Sequence, residues 1–120
     1  MKNKQVITLP FPPSVNSMYR HNGNHTYITA KGQQWIVEAG YKLDLQYRHK
    51  KAIVGDVSLY LKLYTCGRKD IDNFSKATLD LFTKHGIWED DSKIVFLQIE
   101  KIPVKHRVDQ KVEIEIEIGY

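Results

Sequence analysis

A single cysteine, four prolines and no long apolar run set the first limits on this 120-residue chain. Cys66 has no second thiol to pair with, which excludes an internal disulfide and reads as a chain from a reducing compartment. A reactive thiol is the sharper reading of Cys66, and a small buried side chain the commoner one. No segment approaches the length of a membrane span, and Pro10, Pro12 and Pro13 interrupt the only stretch that could pass for the apolar core of a signal peptide. These absences predict a cytoplasmic protein with no membrane partner. Internal repeats and low-complexity tracts are missing as well, so residues 1–120 are expected to form one domain around one core.

What is present is modestly basic and strongly patterned. Lysine and arginine number 18 against 14 aspartates and glutamates, a balance that favours a polyanionic partner without requiring one. Gln5 to Leu9 alternates and stops at Pro10, predicting a short strand. Phe11 to Arg20 mixes prolines with hydrogen-bonding side chains and predicts a rigid turn. His21-Asn22-Gly23-Asn24-His25 has the composition of a hairpin loop, followed by a short strand at Thr26-Tyr27-Ile28. Two histidines four apart suggest a metal pair, but no carboxylate or cysteine accompanies them, so a solvated or phosphate-contacting loop is the simpler reading.

From Ala30 the period becomes helical, with Ile36, Ala39, Leu43 and Tyr47 on one stripe and Thr29 as N-cap, predicting a helix over about 30–50. Arg48-His49-Lys50-Lys51 at its end suits the negative pole of the helix dipole and equally suits phosphate. Val57, Leu59, Leu61 and Leu63 alternate with Ser58, Tyr60, Lys62 and Tyr64 in the clearest strand of the chain. A second helix carries Phe74, Ala77, Thr78, Leu81 and Phe82 on one stripe and closes at Lys84-His85-Gly86, with glycine as its left-handed cap. Trp88 is expected to be core packing that positions the turn after it, with stacking on a base as the sharper alternative. Val95, Leu97 and Ile99 share one face of a strand from Lys93 to Ile102, a basic loop follows at Lys105-His106-Arg107, and Val112 to Ile118 alternates with Glu113, Glu115 and Glu117. Those glutamates read as the wet face of a sheet and as a guard against edge-to-edge pairing. The predicted fold is α+β, a mixed sheet with two main helices packed on it.

The chemistry concentrates in Gly67-Arg68-Lys69-Asp70-Ile71-Asp72-Asn73-Phe74-Ser75-Lys76 and in Trp88-Glu89-Asp90-Asp91. If the backbone at Asp70 and Asp72 is extended, the two carboxylates point the same way and can share a cation. Asp90 or Asp91 would complete an oxygen site suited to Mg2+, and Arg68, Lys69 and Lys76 would let a phosphodiester approach the acids. Such a site polarises phosphate and orients a water for in-line attack, with Lys76 or Lys69 offsetting charge in the transition state. Asp-x-Asp alone is not specific. It occurs in sugar-nucleotide enzymes and as helix-capping acids, and a non-catalytic DNA-binding protein is a further rival.

The wider pattern narrows these alternatives. Pro12-Pro13-Ser14-x-Asn16-x-x-Tyr19-Arg20, Arg68-Lys69-Asp70-Ile71-Asp72-Asn73-x-x-Lys76-Ala77, Gly86-x-Trp88-x-Asp90-Asp91 and Lys101-Ile102-Pro103-Val104 resemble the RusA family of Holliday-junction resolvases over nearly the whole chain. The resemblance implies a small α+β homodimer, often prophage-encoded, that cuts four-way junction DNA with Mg2+, Mn2+ being the expected substitute. It places catalysis on Asp70, Asp72 and Asp91 as metal ligands with Lys76 as a positively charged residue also needed for activity, and it makes Asp90 and Asn73 supporting positions. Arg68, Lys69, Lys76, Asn16, Tyr19 and Arg20 are the implied DNA contacts.

Overall fold

In a computed structural model, residues 3–47 and 51–118 are described. The elements run β1 (Asn3–Pro10), α1 (Val15–Met18), β2 (Tyr19–Asn22), β3 (His25–Ile28), α2 (Ala30–Gln46), β4 (Val57–Thr65), α3 (Lys76–Lys84), β5 (Ile94–Pro103) and β6 (Lys111–Ile118). Short 3-10 turns cover Ile71–Phe74, Asp91–Lys93 and Arg107–Asp109. The α+β class and the mixed sheet are as expected. Strand order is β1-β6-β4-β5, with β4 and β5 parallel and the other neighbours antiparallel, while β2 and β3 form a separate hairpin.

Alternation decides which face of the sheet is covered. Ile7 and Leu9 of β1, Leu59, Leu61 and Leu63 of β4, and Val112, Ile114 and Ile116 of β6 join Trp35, Ala39 and Leu43 of α2 and Ala77, Leu81 and Phe82 of α3 in one buried cluster. Both long helices therefore lie on one face of the sheet. The other face carries Tyr60, Lys62 and Tyr64 beside Glu113 and Glu115, with Lys62 opposite Glu113 across the strand pair. Because β6 is an interior strand, its glutamates do not guard an edge, contrary to expectation. One true edge, β1, is capped by Gln46, whose amide nitrogen donates to Thr8 O at 2.7 Å and whose oxygen accepts from Thr8 N at 2.8 Å. At the other edge, β5, Leu97 and Ile99 share the helix-covered face as expected, but a register shift skips Val95, so Ile94 takes its place against the core, Phe96 packs on Tyr60 of the opposite face, and Val95, Phe96 and Leu97 are exposed.

Helix limits differ from the expected ones in detail. The Thr29 hydroxyl accepts from Gly32 N at 3.0 Å, as an N-cap should, but α2 ends at Gln46 with Tyr47 as C-cap. Of the basic run after it, residues 48–50 lie outside the described residues. The rigid turn after β1 contains one helical turn, α1, capped by Ser14, which the prolines obscured in the sequence. The histidine segment is a hairpin as expected, but tighter: His21 and His25 are strand residues and Gly23-Asn24 is the turn, with Gly23 at φ 63°.

The end of α3 follows the sequence signal closely. Ile87 N donates to Phe82 O and Gly86 N to Thr83 O, the paired bonds of a Schellman closure, with Gly86 at φ 71°. A Cβ at Gly86 would meet nothing within 4 Å, so only backbone strain opposes a side chain there. Gly86→Ala is expected to lower unfolding free energy by about 1–2 kcal/mol and Gly86→Asn by less, measured by urea denaturation.

Candidate active site

The acidic turn begins where β4 ends. Gly67, at φ 77°, reverses the chain, and Asp70 is extended at φ −74°, ψ 128°. Extended backbone stops there. Asp72 lies inside the 3-10 turn Ile71–Phe74, so strand-like alternation does not align the two carboxylates, and α3 starts only at Lys76, so Asp72 is not its N-cap. Both aspartates are exposed, and the turn is closed by Asn73 N donating to Asp70 O at 3.3 Å.

A knot of hydrogen bonds ties this turn to the end of the sheet. The Lys69 ammonium donates to Gln110 Oε1 at 2.6 Å, Cys66 O at 3.0 Å and Thr65 Oγ1 at 3.1 Å, and it lies 5.2 Å from the centroid of the Phe11 ring. An ammonium has three protons, and three acceptors use them. Lys69, expected at the DNA, is thus turned inward and holds the loop. Gln110 Oε1 also accepts from Cys66 N at 3.0 Å, and Lys101 Nζ donates to Lys69 O at 2.6 Å. Cys66 is a half-buried member of this knot, the bland reading of its thiol.

Lys76 is likewise positioned by neighbours. Its ammonium pairs with Asp80 Oδ2 at 3.0 Å, one helical turn on, rather than with Asp72, and sits 5.2 Å from the centroid of the Tyr19 ring. Tyr19 Oη donates to the same Asp80 oxygen at 2.5 Å. Burial, then the hydrogen bond and charge of Asp80, hold the Tyr19 phenol well above its ordinary pKa. Tyr19 therefore supports Lys76 through Asp80. Arg68, Asn16 and Arg20 are exposed on the surface.

Asp91 stands elsewhere. It opens the 3-10 turn before β5 and accepts a short hydrogen bond from Thr83 Oγ1, in the last turn of α3. Trp88, fully buried, donates from Nε1 to the same Thr83 oxygen at 2.8 Å, so Thr83 bridges the core to Asp91. The expectation that Trp88 is core packing that sets this turn holds. Asp90 accepts from Ser92 N at 2.6 Å and caps the turn, and these Ser92 hydrogen bonds hold its carboxyl below the ordinary range.

Topology separates the three acids. β4 and β5 are parallel, with Val57 beside Ile94 and Thr65 beside Pro103, so Asp91 precedes the near end of the pair while Asp70 and Asp72 follow the far end. From Lys76 to Thr83 alone α3 rises about 10 Å. Ligands of one hard cation lie about 2 Å from it. Among the described residues no group of three His, Cys, Asp or Glu is close enough to hold a metal ion. The donor chemistry suits a hard cation, but one chain does not gather the donors.

Sequence reasoning missed Asp80, Thr83, Lys101 and Gln110. The Lys76-x-x-x-Asp80 spacing signalled the first; the others act across contacts that no local pattern announces.

The fold and the turn define a small α+β protein that presents two exposed aspartates, Asp70 and Asp72, in one turn with the exposed cations Arg68 and Lys76, a surface suited to a polyanion. The family model described as endodeoxyribonuclease RusA matches residues 10–118. Crossover junction endodeoxyribonuclease RusA of Shigella sonnei is 37% identical over 110 residues, covering 85% of this chain and 86% of that protein. The proteins of that name from Enterobacteria phage 82 and Escherichia coli K12 are each 36% identical, again covering 85% of this chain and 86% of the relative. The chain belongs to the RusA family of endodeoxyribonucleases.

Gln110 enters the knot only as an acceptor in the bonds described. Gln110→Ala is expected to lower stability by about 1–3 kcal/mol by stranding those donors, while Gln110→Glu, which keeps the acceptor, stays near wild type in chemical denaturation.

Proposed function

We propose that this chain is a homodimeric, Mg2+-dependent endonuclease, with Mn2+ as substitute, that resolves four-way DNA junctions in the cytoplasm by paired symmetric cuts near the crossover. The relatives, crossover junction endodeoxyribonucleases by name, support the substrate. The observation that carries the dimer is the placement of Asp91 and the Asp70–Asp72 turn at opposite ends of the parallel β4–β5 pair.

An exposed edge strand pairs most simply with another copy of itself, antiparallel about a two-fold axis. β5 has the length and the apolar edge for that, ten residues with Val95, Phe96 and Leu97 exposed, whereas Gln46 occupies the β1 edge. Antiparallel pairing of β5 with its copy sets the start of one strand beside the end of the other. Each end then combines Asp70 and Asp72 of one chain with the partner's Asp91, a three-carboxylate site that one chain lacks. Those residues would hold the cation, which when bound polarises a phosphodiester and acidifies a water.

The chain's own groups do the rest. Lys76, kept in place by Asp80 and Tyr19, offsets phosphate charge next to the acids. The exposed Arg68, Arg20 and Asn16 contact the DNA backbone. Thr83 and Trp88 orient Asp91. Two such sites on a two-fold protein match two strands of like polarity in a junction, which a lone nick would leave unresolved.

Incubating the protein with a synthetic four-way junction and a matching duplex, with Mg2+ or with EDTA, tests the reading. Paired cuts confined to the junction and to Mg2+ are expected; binding without cutting would instead favour a non-catalytic junction-binding protein. Asp70→Asn, Asp72→Asn and Asp91→Asn should each lower cutting by at least about 100-fold while binding persists. Co-refolded Asp70→Asn and Asp91→Asn chains should regain nicking, because one of the two shared sites then holds no substitution. Sites contained within one chain would show no such recovery. Thr83→Val should lower cutting, and Thr83→Ser should retain it, assayed at one Mg2+ concentration.

A further inference from the structure

Two clefts beyond the acidic turn join end to end. The first, of about 460 Å3, is walled by Phe11, Trp35 and Phe74 and rimmed by Lys31 and Arg107. The second, of about 550 Å3, lies among Arg20, Tyr27 and Lys31 at the foot of the β2–β3 hairpin. Ser17 and Lys31 line both, so the two form one trough. It starts at the acidic turn, since Phe74 and Lys69 belong to its first wall, and ends on the hairpin.

Charge and aromatic surface alternate along it. Arg107, Lys31 and Arg20 are exposed, whereas the Lys69 ammonium is spent on Thr65, Cys66 and Gln110. Attraction for phosphate therefore falls to the first three. Phe11 and Phe74 are half-buried with ring centroids 5.3 Å apart, and Tyr27 is 52% exposed on the hairpin strand, directly opposite Arg20. A duplex would bring phosphates and base edges to such a trough but no base faces. An unpaired strand brings both phosphates and faces, the combination that cation-and-aromatic grooves recognise.

We propose that this trough carries an unpaired DNA strand from the acidic turn to the β2–β3 hairpin. The proposal rests on the junction-cleaving reading of the acidic turn, and it adds that strands at the crossover are bound with their bases unstacked. Lys31 and Arg107 neutralise its phosphates, and Tyr27 stacks on a base.

Affinities for an oligothymidine of about 10 nucleotides, a linear duplex and a four-way junction, titrated over a range of salt, test this. The wild-type protein is expected to bind oligothymidine more tightly than duplex. Lys31→Ala with Arg107→Ala should flatten the log–log salt dependence for oligothymidine by about 0.7 per cation removed. Tyr27→Ala should weaken oligothymidine binding at least about fivefold and duplex binding less. Lys62→Ala, which removes an exposed cation from the helix-free face of the sheet, should leave the salt slope unchanged. An equal flattening by Lys62→Ala, or junction binding without oligothymidine binding, overturns the track. The second result leaves the resolvase reading standing, whereas oligothymidine binding without cutting or selective binding of junctions supports the track and removes that reading.

Discussion

The parallel pairing of β4 with β5 is the constraint on which the rest of the structure depends. A parallel neighbour cannot be reached by a tight hairpin, so the chain must leave the end of β4, cross over the sheet and re-enter at the opposite end. The acidic turn occupies the exit, α3 makes the crossing, and Asp91 waits at the re-entry. One covalent stretch thus carries all three carboxylates and yet holds them apart. The same pairing puts β5 at the margin of the sheet, where Val95, Phe96 and Leu97 are exposed.

Positioning the acids uses much of the local cationic charge. Lys69 turns its ammonium into the end of the sheet, Lys101 reaches the Lys69 carbonyl, and Lys76 is paired with Asp80 under the Tyr19 ring. Lys69 and Lys76 flank the acidic residues and Lys101 lies in β5, and much of their hydrogen-bonding capacity is committed to the protein. Cations more remote in sequence, Arg20, Lys31 and Arg107, face solvent along the trough instead. Net positive charge says that a polyanion is welcome, but the hydrogen-bond assignments say which cations can greet it.

Much of this was legible before any coordinates. Strict alternation in β4 and β6, the helical stripe of α3 and its Gly86 closure were read correctly because each depends on spacing along the chain. Trp88 was read as core packing that positions the turn before Asp91, and it is fully buried. Less legible were the segments whose conformation is set by neighbours. The extended backbone assumed through Asp72 gives way to a 3-10 turn after Asp70, and the glutamates of β6 lie in the interior of the sheet because β1 pairs on its far side.

The sequence by itself determined the class, the helix faces and the short stretches that hold the acidic residues, because composition and periodicity are local and survive without a fold, and its motifs carried the resemblance to the family. Only the tertiary structure decided that Lys69 is a structural cation, that Asp80, Thr83 and Gln110 hold Lys76, Asp91 and Lys69 respectively, and that Asp91 lies a helix length from Asp70 and Asp72. Those facts belong to strand order and crossover. Pairing partners distant in the chain leave no periodic mark on it.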